Sequence, residues 1–348
     1  MRQSGTPPNS IANRGGVPVA SGVVSRDSFA AIRRLEPADL KRCVALSIDR
    51  GWLPERSKWS LLLGVSEAFG VDAPDGRGLA GAVVLTRWGP DLASVGMMLV
   101  AARYGRRGLG RALMEHVIAE AGKATVTLFA TDMGRPLYEK LGFLPVRRSV
   151  SFVGQFRPGP VGVGVGAPAG SAGYARAAVE ADLPAILAVD HAAFGADRSH
   201  VLRRLPAFAN RIAVLADHSD QSQHPQHPDH SDHPQHPDHS HHPRHPDHCP
   251  EHSIRGYAAA WRNTPSSTVI GPLVAPDAQA AEQLILDLAA HAHGSIRLDL
   301  DPDRPELPAW AHKHGLEPVS RTTVMARGDL PNRGAPDRLF TPISVALA

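Results

Sequence analysis

The sequence predicts an α/β fold with a mixed sheet, laid down twice in tandem along one chain. Two observations carry the prediction. Apolar runs and amphipathic stretches follow one fixed order over residues 29–157 (strand, helix, three strands, helix, strand, helix, strand), and that order starts again at Tyr174. Between the two passes lies PGPVGVGVGAPAGSAG, residues 158–173, a glycine- and proline-rich linker in which the spacing G-x-G-x-x-G of a dinucleotide turn is not met. A length of 348 residues with 43% hydrophobic and 20% charged residues gives each unit a substantial core and excludes global disorder.

Residues 1–28 are rich in Gly, Pro, Ser and Asn without periodicity and are expected to be disordered. They lack the apolar stretch of a signal peptide, and no run of eighteen apolar residues occurs, so a cytoplasmic protein with no membrane partner is expected. In the first unit, Ile32 to Leu35 reads as a short strand and Pro37 to Asp49 as a helix. Glu67–Val71, Leu79–Trp88 and Ser94–Val100 form a meander whose turns are Ala73-Pro74-Asp75-Gly76 and Gly89-Pro90-Asp91. A helix from Gly108 to Ala121 follows, with Leu109, Leu113 and Val117 four residues apart. The strand Thr125–Ala130, the helix Pro136–Leu141 and the strand Arg148–Phe156 complete the unit. The second unit, residues 174–348, repeats this plan with helices at 180–194, 276–293 and 305–314 and ends in the apolar stretch Leu339–Leu347, expected to pack back on its own unit.

The second unit also carries an insert, residues 217–253. It contains the repeats HPQHPDHSD, HPQHPDHSH and HPRHPDHCP, with histidine at every third position from His224 to His248. Proline at this density leaves polyproline II, which places successive imidazoles roughly 9 Å apart at about 3.1 Å rise per residue. Such a strip could hold Ni²⁺, Zn²⁺ or Cu²⁺ only loosely, and a tolerated loop expansion is the preferred reading. No defined metal site is expected. Cys43 and Cys249 are too few and too unlike in context for a disulfide framework. The insert is acidic, so the rest of the chain is basic. That suits an anionic small ligand, and with no Lys/Arg block interleaved with aromatics, no nucleic-acid partner is expected.

The chemistry-bearing segment is Met98-Leu99-Val100-Ala101-Ala102-Arg103-Tyr104-Gly105-Arg106-Arg107-Gly108-Leu109-Gly110-Arg111. A buried strand enters a turn whose glycines let backbone N–H groups converge at a helix N-terminus, which is a cradle for a diphosphate. The G-K-[ST] ending of a Walker loop is absent, and the preceding meander excludes a Rossmann turn. One strand later, Ala130-Thr131-Asp132-Met133-Gly134-Arg135-Pro136-Leu137-Tyr138-Glu139-Lys140-Leu141-Gly142-Phe143 places a tyrosine on a short helix.

Together these segments resemble the GNAT superfamily of acetyl-CoA-dependent N-acetyltransferases. Gly108 and Gly110 match the small positions of the family's turn, Gly105 stands where Gln or Arg is usual, and Leu137, Tyr138, Gly142 and Phe143 match its later L-Y-x-x-x-G-F signature. Thr131 takes a place often held by Asn. The spelling ATDMGRPLYEKLGF, with Gly51-Trp52 upstream, is similar to a bacterial branch with a second, degenerate acetyltransferase-like domain. The resemblance implies acetyl-CoA as cosubstrate, bound by Met98, Leu99, Val100, Arg106, Arg107, Gly108, Leu109, Gly110, Arg111 and Thr131. It further implies that the strand holding Ser94–Val100 splays from its neighbour, that the Leu99 or Val100 N–H polarises the thioester carbonyl, and that Tyr138 protonates the departing thiolate.

Direct attack by an amine in a ternary complex needs no enzyme nucleophile. A small-molecule amine is preferred over a protein amine as acceptor, because a covering second domain suits an enclosed pocket. For the base, Glu67 and Asp132 are the carboxylates to consider, beside water, while His116 reads as a packed histidine. Trp52 and Trp59 fall where relatives bind the acceptor, and core packing explains them as well. The second unit has Gly271–Asp277 in place of the glycine turn and Ala311 in place of the tyrosine, so it is expected to be noncatalytic; its cluster His191, Asp197, Arg198 and His200 reads as caps and salt bridges. A noncatalytic CoA or acyl-CoA sensor, and a metal-binding protein built on the histidine loop, are the alternatives.

Overall fold

In the computed structural model, residues 30–158, 174–216, 254–330 and 334–347 are described. The expected disordered stretch 1–28, the histidine insert 217–253 and all but the first residue of the linker lie outside them.

The first unit runs β1 (Arg33–Arg34), α1 (Leu40–Asp49), α2 (Arg56–Val65), β2 (Glu67–Asp72), β3 (Leu79–Arg87), β4 (Leu92–Val100), α3 (Leu109–Ala121), β5 (Thr125–Ala130), α4 (Arg135–Lys140) and β6 (Leu144–Gly154). The second runs β7 (Tyr174–Ala177), α5 (Leu183–Phe194), α6 (Ser199–Leu202), α7 (Leu205–Phe208), β8 (Arg211–Ala216), β9 (Ile254–Thr264), β10 (Ser267–Val274), α8 (Ala278–Ala290), β11 (Ser295–Leu300), α9 (Glu306–Lys313), β12 (Glu317–Arg327) and β13 (Leu339–Thr341). The expected elements are all present with shifted ends, and three helices are additional: α2, α6 and α7.

The strands form one continuous sheet in the order β1-β2-β3-β4-β5-β12-β6-β11-β10-β9-β8-β7, with β13 beside β10. Only β4 with β5 and β10 with β11 pair in parallel. The order is palindromic about its centre, and the two central strands are exchanged. β12 of the second unit pairs with β5 of the first, from Thr323↔Ala130 to Arg327↔Val126, and β6 of the first pairs with β11 of the second, from Ile296↔Gly154 to Leu300↔Val150. The expectation that the strand at residues 148–156 closes its own unit is therefore corrected: β6 supplies Val150 and Phe152 to the core of the second unit, while Met325 of β12 packs in the core of the first. Each unit buries apolar surface that the other provides, so the two form a single cooperative body.

The repeat is also visible in a polar device. Arg33 donates from both terminal nitrogens to Asp39, at 2.9 and 2.8 Å, and Asp39 accepts the N–H of Glu36. Six residues apart again, Arg176 donates to Asp182 at 2.6 and 2.9 Å, and Asp182 accepts the N–H of Val179. In both units a carboxylate at the first helical turn satisfies an otherwise unpaired amide and ties the helix to the edge strand.

Candidate active site

The site begins with a fault in β4. Ala82 faces Leu99 and Val84 faces Gly96, so Met97 and Met98 together stand opposite Val83, a β-bulge in which Met97 adopts φ +48°. On its other side β4 pairs with β5 only from Leu92↔Thr125 to Val95↔Leu128. Beyond that point the two parallel strands part, as expected for the splayed strand, and a cleft opens between them.

At the end of β4 the chain takes a short 3-10 turn, Ala102–Tyr104, tied to α1 where the Ala102 N–H donates to Asp49 at 2.7 Å. Arg106 then sits at φ +60° and Gly108, the N-cap of α3, at φ +83°, where a side chain is strained. No side chain caps this helix, so its first amides are not used by a cap. A Cβ at Gly110 would crowd Met98 and touch Val100 and Leu137, which brings the turn, the bulged strand and α4 together. Arg106 and Arg107 are exposed on the turn, Arg107 lies 5.7 Å from the Tyr104 ring centroid, and Arg111 is engaged with Glu115 at 2.8 Å. Leu109 is buried against the core.

Tyr138 projects from α4 with its ring buried and edge-on to Phe143, and its hydroxyl makes no hydrogen bond to a described residue. Burial pushes this phenol up to about 12, so it keeps its proton across the neutral range. Thr131 accepts the Gly134 N–H on its hydroxyl at 3.2 Å, which spends the side chain on starting α4.

A cavity of about 520 Å³ is lined by the bulged strand, Thr131 and Tyr138, with the glycine turn outside its lining. Val95, Gly96, Met97 and Met98 of β4, Leu128 and Phe129 of β5, Thr131 and Tyr138 form one side. Trp52, Leu53, Glu55 and Lys58 form another, and the second unit closes it with Arg297 of β11, Ser320, Arg321 and Thr322 of β12, and Val345 and Ala346. Glu55 and Lys58 are a buried ion pair, and burial pushes the Lys58 ammonium below the usual lysine range. These two residues, and every cavity residue of the second unit, were missed by sequence reasoning.

The expected base candidates are elsewhere. Glu67 is ion-paired with Arg87 at 2.6 Å, and Asp132 is exposed; neither lines the cavity. His116 is edge-on to Phe69 at 4.6 Å, as expected for a packed histidine. Trp59 is fully buried and donates to Ser47 at 2.8 Å, a core residue, whereas Trp52 is 41% exposed and lines the cavity. Arg198 is buried against Asp190, which also accepts the Tyr257 hydroxyl at 2.5 Å. The Ser199 N–H donates to Asp197 at 2.8 Å, so this cluster is structural.

The second unit repeats the bulge but fills the cleft. Gly271 and Pro272 of β10 face Ala259, and where β10 leaves β11 the strand β13 pairs with it at Leu273↔Thr341 and Val274↔Leu339. The turn before α8 is cut to Ala275-Pro276-Asp277, and the Asp277 carboxylate accepts the Ala280 N–H at 2.8 Å. A negative charge of the chain's own thus takes the helix N-terminus where a diphosphate would need free amides. The stretch Leu339–Leu347, expected on its own unit, continues past this cleft to the first unit's core, where Ile343, Ala346 and Leu347 are buried.

A bulged, parted pair of parallel strands, a glycine turn opening an uncapped helix and a tyrosine on the following short helix define the acyl-CoA acyltransferase class of fold. Two acetyltransferase (GNAT) domain models match the chain, at residues 70–145 and 249–341. The chain thus carries two GNAT-type acetyltransferase domains in tandem, one in each unit. It is similar to the uncharacterized N-acetyltransferase YitH of Bacillus subtilis (strain 168), with 29% identity over 218 residues, 62% of this chain and 63% of that protein's length. Among solved structures, a putative acetyltransferase from Pyrococcus horikoshii is similar with a TM-score of 0.69 and 18% identity, covering 92% of this chain and 96% of that one. A tandem GNAT protein from the clavulanic acid biosynthesis pathway is similar with a TM-score of 0.56 and 15% identity, covering 86% and 99%. At these identities the structural likenesses speak to fold. Among the described residues no helix is long and apolar enough to cross a membrane, and no group of three metal-ligating side chains occurs.

Proposed function

We propose that the protein is an N-acetyltransferase that takes acetyl-CoA as cosubstrate and an amine as acceptor, with its active site in the first unit. The observation that carries this reading is that the bulged β4 and Tyr138 line one cavity, while the glycine turn packs at Gly110 against Met98, which lines the same cavity. The residues present fit the cosubstrate: Gly108 supplies the left-handed turn into α3, whose N-terminus no side chain caps, Gly110 lets α3 pack close to β4, Arg106 and Arg107 add positive charge, and the parted edge of β4 at Met98–Val100 offers backbone donors for an extended arm. Arg111 is held by Glu115 on α3 itself, and Thr131 lines the cavity.

Acetyl-CoA supplies the activated acetyl group: an amide C–N bond forms as the thioester C–S bond breaks, one proton leaves the amine and one reaches the thiolate. Tyr138 holds the second proton, because burial keeps its hydroxyl neutral and it lines the cavity. Enclosure by β11, β12 and Val345–Ala346 favours a small-molecule amine over a protein side chain. The test is calorimetry with acetyl-CoA on the wild type and on the Gly108→Glu/Gly110→Glu variant. Binding that is lost in the variant is expected; no wild-type binding at millimolar acetyl-CoA would sink the proposal.

A further inference from the structure

We propose that the acceptor is an amine that also carries an anionic group, received by the guanidinium of Arg297 on the second unit. The inference rests on reading the cavity as the acceptor site of an acetyltransferase. Of the charged residues that line the cavity, Lys58, Arg297 and Arg321 are cationic and Glu55 alone is anionic. Lys58 and Glu55 neutralise each other. Arg297 is fixed from behind by an ion pair with the buried Asp299: its Nε donates to Asp299 at 3.0 Å, its Nη2 lies 2.9 Å from the same carboxylate and donates to Ser151 at 3.1 Å, and Ser151 in turn donates to Asp299 at 2.5 Å. Among the described residues Nη1 has no hydrogen-bond partner, and Arg321 has no ion-pair partner.

A guanidinium locked on one edge with its remaining N–H groups at a cavity is a preorganised receptor for a carboxylate or phosphate. The charge also suits the chemistry. An acceptor amine must be neutral to attack, and an attached anion is then the one charge the wall can pair. Arg297 and Asp299 belong to β11 and Ser151 to β6, so the receptor exists only because the units exchange strands.

Two matched pairs test the proposal: an amino acid against its amide, and phosphoethanolamine against ethanolamine. Each is titrated into the enzyme–CoA complex and assayed by thiol release with acetyl-CoA. The anionic member of at least one pair is expected to exceed its neutral partner about 10-fold or more in kcat/KM, as one charge-assisted contact implies. The pair that separates identifies carboxylate or phosphate. Arg297→Gln is expected to collapse that ratio through KM. Because it strands Asp299, Arg297→Gln/Asp299→Asn is measured beside it and is expected to do the same while remaining folded by circular dichroism. Equal use of both members of each pair, an undiminished ratio in the folded double variant, or no amine bound by an enzyme that binds acetyl-CoA would each overturn the inference and leave the cosubstrate site standing. Failure of acetyl-CoA to bind is read separately, by calorimetry without acceptor, and removes the proposed function with it.

Discussion

Gly96 of β4 lies directly beneath the carbonyl oxygen of Ala346. A Cβ built at Gly96 would overlap that oxygen, although the two residues belong to different units. The contact falls at the bulge, so the strand that opens the cleft and the segment that roofs the cavity are set by one close approach of backbone. Backbone cannot swing aside as a long side chain can. Gly96→Ala is therefore expected to lower stability by about 1–3 kcal/mol, the range for overpacking a filled core. It should also shift Val345 and Ala346, raising the acceptor KM more than it weakens acetyl-CoA. Chemical denaturation and the ratio of the two constants check both halves.

Tyr138 is a second point where geometry sets a number. Desolvation disfavours the phenolate, and with the phenol up at about 12 the proton stays in place well above the usual tyrosine value near 10. Tyr138→Phe should reduce kcat by about 10²-fold or more, the usual worth of a positioned acid, with little change in Tm. In the wild type, kcat should show no alkaline fall centred near 10; an inflection there would place the phenol in water and contradict the burial.

The turn and the tyrosine helix were legible because glycine at a left-handed position and a fixed L-Y-x-x-x-G-F spacing are local properties of the chain. The tandem repeat was legible for the same reason. The helix α2 was not: in RSKWSLLLGV the apolar residues run together, so the helical period is weak, and tertiary packing of Trp59 and Leu62 decides it. Nor was the exchange of β6 and β12, since a pattern identifies a strand but not its partner. The acceptor wall joins Glu55 and Lys58 to Arg297, Arg321 and Ala346, and no spacing rule links segments so far apart.

The paired Arg–Asp devices predict a pH dependence of stability. The Arg33 guanidinium, more than any other group, holds the Asp39 carboxyl well below the usual carboxylate range. A depressed value means the stabilisation is complete above the unfolded-state pKa near 4 and fades as pH falls toward the folded value. Asp39→Asn should thus cost about 1–3 kcal/mol at pH 7 and progressively less in acid. Urea titrations at pH 7 and pH 3 measure the difference, and a cost that does not shrink at pH 3 would deny the ionic origin.

The exchanged strands predict that neither unit is a free-standing domain, although each has its own run of elements. Residues 30–157 alone would keep β6 but lose β12, leaving β5 with an open edge from Val126 to Ala130 and β6 without β11 or β12 on either side. Three unpaired edges and the apolar face of Val150 and Phe152 would then meet water. The fragment is expected to associate, either by pairing β6 with a second copy in place of β12 or by aggregating. Mixed with residues 174–348, it should recover a one-to-one complex in which each fragment supplies a central strand. Light scattering of the fragments apart and together decides this, and a stable, monodisperse monomer of 30–157 would show that β6 can fold back onto β5 without its partner.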